Sequence, residues 1–135
     1  MTEDQRQRGL AKMSEVYGWE MTDGDGDFFG LTADHLFAEI WERPGLSLRD
    51  RRLLLVGLCT GASMPDVADL QLDAALRVGD LSEADLREIV VFLTHYAGWP
   101  KGAQLNSAVE SIIARSRKSA KQDETSATPV AKDEP

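Results

Sequence analysis

Two histidines, one cysteine and a short acidic, glycine-rich stretch are the residues of this 135-residue chain most open to chemistry. His95 follows Glu88 by seven residues, so on a helix the two share a face about two turns apart, with Val91 and Phe92 between them. An imidazole in that setting can give or take a proton near neutral pH, or it can be a hydrogen-bonded interface histidine. The rise of about 10 Å keeps the pair from touching, so they act together only if a substrate bridges them. His35 falls in the first turn of its helix, where the dipole lowers its proton affinity, and reads as a surface or capping residue. Cys59 lies in an apolar run and reads as an inert buried thiol. A lone cysteine forms no internal disulfide or Cys-x-x-Cys pair, and with two scattered histidines it makes no zinc set, so no metal site is expected. Asp23-Gly24-Asp25-Gly26-Asp27 resembles the start of a calcium loop, but that pattern needs Gly at its sixth position and Glu at its twelfth. Phe28 and Asp34 stand there, and the stretch reads as a flexible acidic loop.

A further candidate comes from a polar residue on an apolar face. In the segment Ser63 to Val78, Asp66, Asp69, Asp73, Arg77 and Asp80 fall on one side and read as a solvated face. Val67, Ala68, Ala74, Ala75 and Val78 form the other side, and Gln71 sits among them. A buried amide must find partners or cost about 1–3 kcal/mol. Gln71 is therefore either a satisfied core or interface glutamine or a hydrogen-bonding group of a pocket.

The elements that must position these residues are helices. Asp4 to Tyr17 forms a polar helix ending near Gly18, followed by an irregular stretch from Glu20 to Gly30. Thr32 caps a helix through Arg43, with Asp34 in its first turn, and Pro44-Gly45 ends it. Ser47, Ser63 and Ser82 each open a Ser-x-x-Asp turn, with Asp50, Asp66 and Asp85 three residues on. The Ser47 helix is apolar all round at Leu53, Leu54, Leu55, Val56, Leu58 and Cys59, and should be the central buried helix. Pro65 suits the first turn of the next helix, and Gly79 closes it. The Ser82 helix runs to about Ala97, Gly98-Trp99-Pro100 breaks it, and a last helix runs from Lys101 to about Arg117. No alternating segment is long enough for a strand, so the fold expected is all-α, with about six helices. The domain should end at residue 117. The polar segment 118–135, whose only large aliphatic residue is Val130, should be a disordered tail.

Composition narrows the function. Hydrophobic residues are 42% of the chain, enough for one core. Lys plus Arg is 15 against 23 Asp plus Glu, a net charge of −8. That balance argues against nucleic acid and against an anionic membrane as partners. The apolar run Leu53 to Cys59 is far short of a membrane span, and Met1 to Arg6 has no signal-peptide core, so a cytoplasmic protein is expected.

Three stretches resemble the carboxymuconolactone decarboxylase family of the AhpD-like superfamily. They are Phe37-Ala38-Glu39-Ile40-Trp41-Glu42-Arg43-Pro44-Gly45-Leu46 with Arg49-Asp50-Arg51, then Ala74-Ala75-Leu76-Arg77-Val78-Gly79 with Ser82 to Glu88, and Tyr96-Ala97-Gly98-Trp99-Pro100-Lys101. The resemblance implies a small all-α subunit that forms a homo-oligomer, commonly a trimer or hexamer. It also implies a lyase that decarboxylates a small carboxylated lactone or keto acid in aromatic-compound breakdown, with no metal or organic cofactor. Loss of CO₂ builds negative charge that must be stabilised and then protonated. On this reading His95 is the proton donor, Gln71 a hydrogen-bond donor, and Arg51 or Arg43 holds a carboxylate. Tyr96 and Trp99 line the wall, and Arg43 with Glu39 can alternatively be an ion pair that shapes the fold. The family's decarboxylases usually carry a histidine where this chain has Gln71. The superfamily's redox branch has Cys-x-x-Cys where Met64 and Val67 stand, and a glutamate at Arg52, so thiol peroxidase activity is excluded. A ring-forming binding or scaffold protein is the alternative to an enzyme.

Overall fold

The computed structural model describes residues 2–127, and all statements of absence below concern those residues. It is all-α, with no strand. Helix α1 spans Glu3–Tyr17, α2 Asp27–Gly30, α3 Leu48–Gly61, α4 Pro65–Val78, α5 Glu83–Ala97 and α6 Trp99–Ala127. Between α2 and α3 lies a ten-residue π-helix, Leu31–Ile40.

Local signals explain most boundaries. Ser47 Oγ accepts from Asp50 N at 3.0 Å. Ser82 and Asp85 form a complete reciprocal box, which satisfies two backbone donors at the start of α5. Gly18 and Gly79 take left-handed conformations that close α1 and α4. The third Ser-x-x-Asp turn does not form. Ser63 is itself in the left-handed region at φ 57°, Met64 precedes the helix, and no side chain caps α4. The tight link from α3 to α4 leaves Ser63 in the turn rather than at the cap.

Three other expectations change. The second long helical segment starts at Asp27, not Thr32, whose hydroxyl donates to the Phe28 carbonyl at 2.8 Å inside the helix. Helix α3 is not buried all round, since Leu54 and Leu58 are 63% and 64% exposed while Val56 and Cys59 are buried. Its outer face borders an open groove shared with Leu36, Trp41 and Leu46. Finally, α6 continues ten residues past Arg117, so residues 118–127 are helical rather than a disordered tail. The remainder of that expected tail, from 128, lies outside the described residues.

Two apolar clusters form the core. Val56, Leu72, Leu81, Leu86, Val109, Ile112 and Ile113 join α3, α4, α5 and α6. Leu10, Met13, Val16, Ala33 and Phe37 join α1 to the π-helix. There Gly9 is required, because a Cβ would lie 1.9 Å from the Ala33 carbonyl oxygen. Asp34, read as a first-turn residue, is buried and gripped by Arg6 at 2.7 and 3.0 Å. Arg77 ties the two clusters together by donating to the Tyr17 and Gly18 carbonyls, both at 2.8 Å. No helix is long and apolar enough to cross a membrane.

Candidate functional site

Gln71 faces inward and is 3% exposed. Its Oε1 accepts from Arg52 Nη1 at 3.0 Å, and Arg52 has no exposed surface. The same guanidinium pairs with Asp80 at 2.9 Å and donates to the Glu15 carbonyl at 3.4 Å. The amide oxygen is thus satisfied inside the core between α3 and α4. Arg52 and Gln71, two of the positions that set this chain apart from the pattern it resembles, are bonded to each other.

His95 is exposed on the last turn of α5. Its Nδ1 lies 2.7 Å from the Val91 carbonyl oxygen. A carbonyl only accepts, so Nδ1 carries the proton and Nε2 is left to exchange one with a substrate. Trp99 meets the imidazole edge-on, with ring centroids 5.7 Å apart. Both line an open groove of about 340 Å³ with Val91, Thr94, Ala103 and Asn106. Tyr96 is 81% exposed and packs on Phe92, at 5.2 Å between centroids. Glu88 lines a neighbouring groove with Arg49, Leu53 and Phe92, so it does not share the lining of His95.

The two arginines lie elsewhere. Arg51 Nη2 donates to the Arg43 carbonyl at 2.6 Å, and Arg51 borders an apolar groove of about 350 Å³ with Leu36, Trp41, Leu46, Leu54 and Leu58. The Arg51 Nε is buried without a hydrogen-bond partner. Arg43 is exposed, and the proposed pair with Glu39 is not made. Glu39 instead takes Gln5 at 2.6 Å and His35 at 3.0 Å. So the six residues singled out by sequence separate into three places. His95 and Trp99 meet, with Tyr96 beside Phe92 on the same helix, Arg43 and Arg51 meet, and Gln71 is closed off in the core.

Asp23 of the acidic stretch is held by Arg6 at 2.7 Å, and Asp27 begins α2. Among the described residues no three His, Cys, Asp or Glu side chains gather where they could hold a metal ion. Cys59 is fully buried, and burial pushes its thiol pKa up, away from a reactive thiolate.

Sequence reasoning missed one polar cavity. It holds about 180 Å³ between the end of α3, the start of α4 and the first turns of α6. Thr60, Asp69 and Lys101 line it, and Lys101 Nζ donates to the Gly61 carbonyl. Thr60 Oγ1 and Asp69 Oδ1 are buried with no hydrogen-bond partner, each a cost of about 1–3 kcal/mol. By spacing alone Asp69 belongs to the solvated stripe of α4. Only the packing of Leu105 and Ala108 against α4 reveals that it turns inward, and no spacing in the sequence signals that.

Comparison with known proteins places these observations. The chain is 27% identical over 122 residues to the 4-carboxymuconolactone decarboxylase of Acinetobacter baylyi, covering 84% of this chain and 90% of that protein. No protein-family profile matches the chain. No solved structure matches it.

Proposed function

From a chain that is a distant relative of the carboxymuconolactone decarboxylases, we propose a cofactor-independent carbon–carbon lyase acting on a small carboxylated lactone or keto acid. The relationship across nearly the whole length of a curated decarboxylase carries this reading. The groove at His95 supplies chemistry consistent with it. As CO₂ leaves, charge develops on the conjugated system, and a protonated His95 can deliver a proton from Nε2 while Nδ1 stays tied to Val91. Trp99 gives the substrate an apolar wall.

In this reading Gln71 is a core residue that makes no substrate contact, because it is 3% exposed and its oxygen accepts from the buried Arg52. Arg43 and Arg51 hold the carboxylate only if a second copy brings them to the groove. The proposal therefore includes a homo-oligomer, a trimer or hexamer, and the uncovered apolar side chains of α3 and α5 support it. A cytoplasmic location belongs to the same proposal.

The test is consumption of 4-carboxymuconolactone, followed by ultraviolet absorbance with CO₂ release measured in parallel. The expected result is turnover that His95→Ala lowers by about 100-fold or more, while Gln71→Ala changes turnover per folded molecule little. Wild-type protein that consumes no member of a lactone and keto-acid panel overturns the reading. A specific observation favours the alternative in that case. Arg52 and Gln71 close the position where the family's histidine is expected, as in a binding or scaffold protein built on an enzyme's frame.

A further inference from the structure

We propose that the cavity between α3, α4 and α6 is a binding site for a small primary ammonium compound, whose N–H groups donate to Asp69 and Thr60. Nothing in the decarboxylase reading uses this cavity, and it is lined by none of that reading's residues.

The acidic residues alone would not make a site. The second observation is Thr60, which is 7% exposed and lines the cavity with an unpartnered hydroxyl. Asp69 Oδ1, also buried and unpartnered, points to the same need, since an ionised carboxylate oxygen can only accept. Both free atoms are therefore satisfied by a ligand rich in donors. Charge gives the sign. Asp66 and Asp69 line the cavity against Lys101, leaving one negative charge to complement one ammonium. Lys101 is engaged by the Gly61 carbonyl, and no ion pair joins it to either aspartate. An anion would meet two carboxylates. The volume holds about six waters, and Ala68, Leu105 and Ala108 offer apolar wall for a short carbon chain.

The Asp69 side chain is held above its ordinary carboxylate pKa, first by burial and then by Asp66, with Arg115 opposing. Folding therefore favours its neutral form. Its contribution to stability is present at low pH and is lost as pH rises through its folded value. A bound ammonium reverses that penalty by favouring the ionised form.

The full-length protein is titrated with methylammonium and n-propylammonium, and backbone amide shifts are followed by NMR. Tetramethylammonium, acetate and sodium chloride at matched ionic strength are the controls. Saturable shifts at Thr60, Asp69 and Lys101 are expected with the primary ammonium ions alone. Asp69→Asn should weaken binding by about tenfold or more, and Thr60→Val by several-fold. Asp69→Asn should also raise the melting temperature at neutral pH and flatten its pH dependence, which separates lost binding from lost folding. Equal shifts with tetramethylammonium or sodium chloride overturn the proposal. So do saturation by acetate, or wild-type affinity in both variants.

Discussion

Arg52 carries a positive charge with no exposed surface, balanced by Asp80, Gln71 and the Glu15 carbonyl. Removing one member of such a set costs more than removing the set, because the survivor stays buried and unpaired. Arg52→Ala should lower stability by about 3 kcal/mol in urea unfolding. The paired change Arg52→Met with Gln71→Leu should lose far less, since Asp80 reaches water on its partly exposed side. A double variant no more stable than Arg52→Ala would contradict this account. The sequence shows Gln71 as out of place on an apolar face. Its partner is invisible there, because Arg52 lies 19 residues earlier on another helix and nothing in its own surroundings marks it as buried.

Three Ser-x-x-Asp turns look alike in sequence, yet they differ in what they do. Ser82 and Asp85 exchange hydrogen bonds at 3.0 and 3.1 Å, whereas Ser63 sits one residue too early for its role. Ser82→Ala should cost about 1 kcal/mol, and Ser63→Ala should stay within about 0.5 kcal/mol of wild type. Thermal unfolding of the two variants checks the contrast, and equal losses would refute it. Helix number and order were legible because glycines, prolines and caps punctuate the chain. The extension of α6 was not, because residues 118–125 are mostly polar and exposed, so composition gave no sign of a helix there. The start at Asp27 was hidden for a similar reason, since glycines at 24, 26 and 30 suggested a loop.

At the scale of the whole molecule, the apolar surface is more than one chain covers. Leu54 and Leu58 on α3, and Val91, Phe92 and Tyr96 on α5, stay more than half exposed. The sequence read the first pair as core, since an apolar run does not reveal whether its outer face meets the same chain or another. Light scattering at micromolar concentration should report a trimer or hexamer, and Leu58→Asp should shift it toward monomer. A wild-type monomer would remove the means by which Arg43 or Arg51 reaches His95, and with it the proposed active site.

The π-helix at Leu31–Ile40 has a consequence for how this fold tolerates change in length. Its closing bond runs from Trp41 N back to the Leu36 carbonyl, five residues rather than four, at 2.9 Å. Deleting one residue from an ordinary α-helix turns everything beyond it by about 100° and misaligns its buried face. Here a deletion can be absorbed by relaxation into tighter α winding. A one-residue deletion near Trp41 should therefore disturb the fold less than one in the middle of α3 to α6, where the register of a buried face would be lost.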